Sequence, residues 1–236
     1  MALPKISAPT FTTIIPSNGR EITYRPFLVK EEKNLLVAME SKDPEHMTRA
    51  MVEMISSCIL TEDVNIEKLP AFDVEYLFLK VRGKSVSEKV VLSYRHKDGM
   101  NYKGEPCDAV TDVEVDLDQV KVKFPDNSLH EIKLTDKLSM KMRYPTLADI
   151  KKSNDDLDEL DMIARCIESV YDDEEVYEPD DLNDSKAFLG SLNSQQFANI
   201  ASFFSNMPSL SHEVTYTCQK CGQVDTITLK GISDFF

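Results

Sequence analysis

The pattern of apolar and polar positions predicts a first half that runs from a β-hairpin into helices. Around the turn signal Ser-Asn-Gly at 17–19, FTTIIP and REITYRPF are rich in β-branched and aromatic residues, which indicates paired strands. Apolar residues then recur at helical spacing in LVKEEKNLLVAMES. Asp43 and Pro44 have the residue types of a helix cap and first turn. A third helix is predicted over AFDVEYLFLKVR, with Gly83 placed to end it.

The second half begins with extended segments and returns to helices. Between Val86 and Met142 apolar and polar residues mostly alternate, as they do in strands with one solvated face. After Pro145, helices are predicted over TLADIKKS, DELDMIARCIESVY, SKAFLGSL and SQQFANIASFFSNM. Asn193 and Gln196 form a capping-box pattern before the last of these. HEVTYTC and QVDTITL then predict a final β-hairpin.

These elements predict an α+β fold, in which helices pack with a central antiparallel β-subdomain and a C-terminal β-hairpin. We expect an N-terminal hairpin with helices at 1–85, a β-subdomain at 86–144, and a helical region ending in a hairpin at 145–236. One continuous fold is the alternative. The two β regions also resemble one another, because each has a polar tip that contains cysteine.

The charge of the chain restricts the kinds of partner that it can bind. Its formal net charge is -14, which opposes binding to nucleic-acid phosphates or to an anionic membrane and favours partners with basic patches. The acidic stretch YDDEEVYEPDD is too polar for a core, and we expect it to form a surface connection. No apolar run approaches the roughly 20 residues of a membrane span, and the N-terminus lacks a secretory pattern.

The cysteines indicate a reducing compartment and one candidate metal site. Cys58 and Cys166 lie in apolar helical patterns, and the total of five cysteines is odd, so we expect buried thiols in a cytoplasm. The motif CQKCG places Cys218 and Cys221 on a tight turn, where both thiolates can reach one zinc ion.

This motif supplies only half of a structural zinc site, which needs four ligands. The further candidates are Cys107 and His96, which border the other hairpin tip. The alternative is a turn that carries two thiols and no cofactor. A redox role is disfavoured because the motif lies between two strands and does not open a helix.

Catalytic motifs are missing from the sequence. The four histidines are scattered, no G-x-S-x-G motif occurs, and no glycine-rich phosphate loop is found. Paired carboxylates on a solvated run do not form an acid–base pair, because catalysis requires environments that separate their pKa values. We therefore predict no catalytic residues and no enzymatic activity.

Longer stretches of the sequence resemble a known protein family. They are ITYRPFLVKEEKNLLVAMESKD, LPAFDVEYLFLKVRGKSVSEKV, LTDKLSMKMRYPTLADI, SLNSQQFANIASFFSNMPSLSHEV and LKGISDFF. In this order they resemble the baseplate hub subunit and hub assembly protein family of T-even-type contractile-tailed bacteriophages. The resemblance implies a late-made protein that acts in central hub assembly by binding hub or tape-measure components. It would be present in the host cytoplasm during assembly and in the baseplate of the virion tail.

The resemblance leaves several alternatives open. The chain is either retained in the virion or a transient assembly chaperone that the mature virion lacks. A zinc-ribbon-like adaptor is a further alternative, and an oligomeric state is compatible with each of them. An assembly protein must expose apolar anchors. The candidates are Phe203, Phe204, Phe235 and Phe236, which alternatively belong to the core.

Arg25 is a separate candidate for a contact with a partner. It precedes a proline, which favours extended backbone at this position. Its guanidinium group can pair with a carboxylate of a partner or with one inside the fold.

Overall fold

The computed structural model describes residues 6–41, 43–95, 107, 109–125, 130–153 and 159–235. The α-helices are α1 Val29–Ser41, α2 Pro44–Cys58, α3 Ala71–Ser85, α4 Leu147–Ser153, α5 Glu159–Cys166, α6 Leu182–Gly190 and α7 Ser194–Ser205. The strands are β1 Phe11–Ile14, β2 Glu21–Tyr24, β3 Lys89–Arg95, β4 Val110–Asp116, β5 Lys121–Lys123, β6 Glu131–Lys133, β7 Ser139–Met142, β8 Ile167–Tyr171, β9 Val176–Tyr177, β10 Ser209–Thr217 and β11 Val224–Lys230. The prediction of an α+β fold is confirmed. No helix in these described ranges has both the length and the apolar character that a membrane span needs.

The chain folds into two compact units that are not consecutive in sequence. Unit 1 contains Met1–Ile66, Phe72–Lys123 and Ser209–Phe236, and unit 2 contains Glu67–Ala71 and Phe124–Pro208. These boundaries differ from the segments 1–85, 86–144 and 145–236 expected from the sequence. The physical reason is a long-range strand pairing, since β10 pairs antiparallel with β5 and thereby joins the C-terminal hairpin to the first half of the chain.

The N-terminal hairpin and the three following helices of unit 1 form where the sequence predicts them. Strands β1 and β2 pair with Phe11 opposite Tyr24, and Gly19 in their turn has a φ of 69°, which glycine tolerates best. The side chain of Asp43 accepts a hydrogen bond from the Glu45 backbone N–H and caps α2. Gly83 does not end α3, which continues to Ser85.

Two further hairpins of unit 1 contact each other. In β3–β4, Leu92 lies opposite Val113, and in β10–β11, Val214 lies opposite Ile227. The rings of Tyr94 and Tyr216, one from each hairpin, stack with centroids 6.3 Å apart. This contact places the cysteine-containing ends of the two hairpins on the same side of unit 1.

Unit 2 contains a sheet of four strands in the order β6-β7-β8-β9. The helix predicted over DELDMIARCIESVY is wrong in its second half, because α5 ends at Cys166 and β8 begins at Ile167. The residues IESVY contain two β-branched side chains, and Val170 of β8 pairs with Met140 of β7. Pairing on the sheet therefore outweighs the helical spacing of these apolar residues.

The strands predicted as a central β-subdomain contribute to three separate sheets. Strands β3 and β4 pair with each other, β5 joins β10, and β6 and β7 join β8. The region is extended as predicted, but the pairing of its strands is determined by segments that come later in the chain.

An ion pair stabilises the start of α4 in unit 2. Arg143 donates to both oxygens of Asp149, at 2.6 and 3.2 Å, and to the backbone carbonyl of Arg165 at 2.6 Å. The backbone N–H and hydroxyl of Thr146 also donate to Asp149. Burial acts to raise the pKa of Asp149, but the hydrogen bonds from Arg143 and Thr146 outweigh burial and lower it to about 2.

Replacing the Asp149 carboxylate will lower the stability of unit 2 in a pH-dependent way. Because the folded-state pKa of Asp149 lies below its usual value, its stabilisation is present above about pH 4 and is lost as the pH falls toward 2. Asp149→Asn is expected to reduce the free energy of unfolding by about 2 kcal/mol at pH 7, and the difference should shrink below about pH 4. Urea unfolding of both proteins at several pH values measures this difference in the free energy of unfolding. Asp136→Asn is the control, since that side chain is fully exposed. A difference in the free energy of unfolding that persists unchanged to pH 2 would contradict the lowered pKa assigned to Asp149.

Candidate functional site

Three cysteine thiols lie close together where the β3–β4 and β10–β11 hairpins of unit 1 meet. The sulfur atoms of Cys107, Cys218 and Cys221 all lie within 4.8 Å of one another. Cys107 and Cys218 are 2% and 1% exposed, Cys221 is half-buried, and the sulfurs of the first two are 3.8 Å apart. This distance is far longer than the roughly 2.05 Å of a disulfide bond, and none of the three cysteines is in a disulfide.

The turn between β10 and β11 orients two of these thiols. The backbone N–H of Cys218 donates to the carbonyl of Gln223 at 2.8 Å, and the N–H of Gly222 donates to the carbonyl of Cys218 at 2.9 Å. Gly222 has a φ of 74°, a conformation that disfavours residues with a Cβ atom. The CQKCG segment therefore closes into a tight turn with both sulfurs on one side, as the sequence predicts.

Hydrogen bonding also affects the third thiol. The backbone N–H of Gln223 donates to Cys221, and this hydrogen bond lowers the pKa of that thiol. Desolvation and the neighbouring thiols of Cys218 and Cys107 act in the opposite direction, and the pKa of Cys221 is raised overall. A backbone donor to a cysteine sulfur is the kind of interaction that orients metal ligands.

The remaining predicted ligand and the other cysteines have different positions. His96 lies outside the described residues, so its role as a further ligand stays a prediction. Cys58 in α2 and Cys166 in α5 are fully buried, as the sequence predicts, and they are not part of the three-thiol cluster. Of the candidate ligands, the structure thus brings together Cys107, Cys218 and Cys221.

The aromatic residues proposed as interface anchors are buried or half-buried where the structure describes them. Phe203 is 5% exposed, and its ring stacks on Tyr144 with centroids 5.5 Å apart. Phe204 is half-buried and contacts Phe203 edge to face. Phe235 is 1% exposed. The core interpretation is therefore correct for Phe203 and Phe235, and Phe236 lies outside the described residues.

Arg25 pairs within the fold. Its guanidinium donates to Glu31 at 3.0 Å and to the carbonyl of Pro26 at 2.9 Å. Glu31 is 5% exposed and also accepts from the backbone N–H of Leu28. The alternative that Arg25 binds a partner's carboxylate is therefore not supported.

A groove with an apolar floor and an acidic rim lies in unit 2. It has a volume of about 570 Å³ and lies between the β8–β9 hairpin and α6. Its lining residues are Leu138, Ile167, Val170, Asp172, Tyr177, Glu178, Pro179, Asp184, Ser185 and Phe188. We call it the acidic groove. Residues 172–184, DDEEVYEPDDLND, contain no Lys or Arg, so the groove is next to a strongly negative surface.

The turn of the β8–β9 hairpin holds this acidic segment in place. The carboxylate of Asp172 accepts from the backbone N–H groups of Glu174 and Glu175, at 2.9 and 2.8 Å. These two hydrogen bonds lower the pKa of Asp172. The segment that we expected to be a surface connection is therefore largely exposed and ordered by pairing. Strand β9 is not predicted from the sequence, where Val176–Tyr177 between acidic residues is the one signal for it.

A second groove, in unit 1, is more apolar. It has a volume of about 450 Å³, and its lining includes Leu35, Leu36, Met39, Met47 and Met51 from α1 and α2. Leu36 and Met39 are 53% and 51% exposed. We call it the helical groove. The helical spacing of apolar residues in LVKEEKNLLVAMES does not indicate that Leu36 and Met39 stay uncovered.

Comparisons with known proteins support the resemblance seen in the sequence. Residues 8–236 match the protein-family model described as T4 bacteriophage base plate protein. A search of curated proteins found no match, and a search of solved structures found none either.

Unit 1 also contains a buried carboxylate that is part of neither the helical groove nor the three-thiol cluster. Asp73, near the start of α3, is 0% exposed, and one of its oxygens accepts from the backbone N–H of Ser17 at 3.0 Å. Its Oδ2 has no hydrogen-bond partner among the described residues. Burial raises the pKa of Asp73 to about 6, although the hydrogen bonds from Ser17 act to lower it. The hydrogen bond between Ser17 and Asp73 thus connects the turn of the first hairpin to α3.

Neutralising Asp73 is expected to stabilise unit 1 at neutral pH. Its folded-state pKa is raised above the usual value, so the carboxyl group stabilises the fold at low pH and this contribution is lost as the pH rises through about 6. Asp73→Asn keeps the acceptor for Ser17 and should increase the free energy of unfolding by roughly 2 kcal/mol at pH 7.5, with little change at pH 4. Denaturant titration at both pH values measures it, with the exposed Asp173→Asn as control. If Asp73→Asn is less stable than the wild type at pH 7.5, the expectation is contradicted, and the Asp73 carboxylate is stabilised by a partner.

Proposed function

The chain belongs to the family of T4 bacteriophage base plate proteins, and on this basis we propose that it acts in the assembly of the central baseplate hub and remains in the finished baseplate. Family membership gives the chain a structural role in the phage tail. Its action in this proposal is to bind hub or tape-measure components. The observation that carries the proposal is the family match, which extends over residues 8–236 and so includes both units.

We assign partner binding to the acidic groove because its chemistry specifies an occupant. The apolar floor includes Val170 and Phe188, and the rim includes Glu178 and Asp184. A segment of a partner protein that combines an apolar side chain with flanking Lys or Arg residues matches both features. The net charge of the chain, -14, favours the same kind of partner at long range.

Tyr177 is the residue in the groove best suited to anchor such a segment. Its side chain is 49% exposed, and it lies beside Glu178 at the groove wall. Exposed aromatic residues contribute more to binding than most other side chains, since they bury a large area with little loss of conformational freedom. The neighbouring carboxylates contribute mainly to the rate of association and to specificity, and salt screens them.

In this function the chain transforms no substrate. The carboxylates at residues 172–184 are mostly exposed on one solvated surface. They share one kind of environment, which does not separate an acid from a base. Asp73 is buried beneath a turn, where its carboxylate contacts the backbone of Ser17.

The experiment that tests the proposal is affinity purification of the tagged chain from infected cells, with mass spectrometry of the proteins that accompany it. A hub or tape-measure protein should co-purify, and raised salt should reduce its recovery. Tyr177→Ala is expected to cost about 2 kcal/mol of binding, which is roughly a thirtyfold loss of affinity, and Glu178→Lys should slow association.

Two control variants separate the function from the surface assigned to it. Glu53→Lys makes the same charge change on an exposed site of α2 and should retain the partner. Leu36→Lys places a charge in the helical groove. If Leu36→Lys alone releases a hub or tape-measure partner, the assignment to the acidic groove is wrong while the function stands. If no baseplate protein accompanies the wild-type chain, the function itself is contradicted.

A further inference from the structure

We propose that Cys107, Cys218 and Cys221 bind one zinc ion, which joins the C-terminal hairpin to the segment before β4. The first argument is geometric. Sulfur ligands at a Zn–S distance of about 2.3 Å occupy corners of a tetrahedron that are about 3.8 Å apart. The sulfurs of Cys107 and Cys218 are 3.8 Å apart, and all three lie within 4.8 Å of one another. Small side-chain rotations suffice to place one ion at equal distances from them.

The second argument is the construction of the turn. Cys218 and Cys221 are two residues apart on a tight turn that Gly222 completes with a φ of 74°. Two sulfurs on such a turn can reach one ion without strain. The Gln223 N–H that donates to Cys221 keeps this sulfur oriented toward the other two thiols.

The third argument concerns the distance along the chain between the ligands. Cys107 precedes β4, and it contacts Cys218 across 111 positions of sequence. Cys107 and Cys218 are almost fully buried, although neither lies in a helix or strand. Burial of both thiols on irregular backbone is expected when a shared ligand organises the segments.

The chemistry of the site favours zinc over hard cations such as magnesium and calcium. Three thiolates are soft ligands, which select zinc or copper(I) over magnesium and calcium. Binding displaces the thiol protons to solvent, so the occupied site holds three thiolates and one divalent cation. The fourth tetrahedral position is open to water or to a further ligand. The metal has a structural role that is independent of the function proposed above.

Metal analysis of the full chain, purified under reducing conditions without chelator, tests this site. We expect about one zinc per chain, and a chelator should lower the melting temperature. Replacement of zinc by cobalt(II) should give the thiolate charge-transfer absorption and the visible bands of a tetrahedral ion. Cys221→Ser should lose the zinc and the cobalt spectrum, whereas Cys58→Ala should retain both, because Cys58 is buried elsewhere in unit 1.

Further measurements keep the test decisive if a variant is poorly folded. Circular dichroism reports whether Cys221→Ser is folded, and the wild-type chain is tested alone by zinc titration against a competing chelator. Affinity in the nanomolar range or tighter supports the site. A reduced, folded wild-type chain that carries no zinc and does not bind added Zn²⁺ overturns the proposal. A disulfide between Cys107 and Cys218 in freshly isolated protein overturns it as well.

Discussion

The pairing of β10 with β5 is the interaction on which unit 1 depends. Leu210 lies opposite Val122 and is fully buried, and the backbone N–H of Gly231 donates to the carbonyl of Leu210. Through this pairing the last strands of the chain complete a unit that begins with the first hairpin. Contacts between residues so far apart form late, because closing a long loop costs entropy before the contact forms. The three thiols of Cys107, Cys218 and Cys221 lie at the far end of the same hairpin, where the proposed zinc ion would add a second connection between these distant parts of the chain.

The two units carry different features, and each follows from how its strands pair. In unit 1, the contact between Tyr94 and Tyr216 aligns two hairpins and brings three thiols together. In unit 2, the short strand β9 pairs with β8 and holds an acidic segment at the edge of a sheet, next to an apolar floor. A sheet edge with many like charges resists pairing with other strands. Such an edge remains available for a partner whose charges are opposite in sign.

Local signals in the sequence were sufficient to predict most elements and to select candidate ligands, but not to predict the pairing of strands. The hairpin at Gly19 and the capping box of Asn193 and Gln196 are confirmed because turns and caps involve neighbouring residues. The helix predicted through Ile167 is wrong because the β-branched residues there also suit a strand, and pairing with β7 determines which element forms. Cys218 and Cys221 were candidates because of the CQKCG motif, and Cys107 and His96 were added because of the similarity of the two hairpin tips. No pattern in the sequence predicts which residues of the two grooves stay exposed, because exposure depends on the tertiary packing.

The central claim is that this chain is a lasting structural part of the phage tail baseplate. Quantitative mass spectrometry of purified tails, calibrated with isotope-labelled peptides from both units, tests this claim most directly. The account predicts the chain in every tail preparation at a constant whole-number ratio to the other baseplate proteins. Its absence from purified tails, despite abundant expression in the infected cell, would contradict that claim.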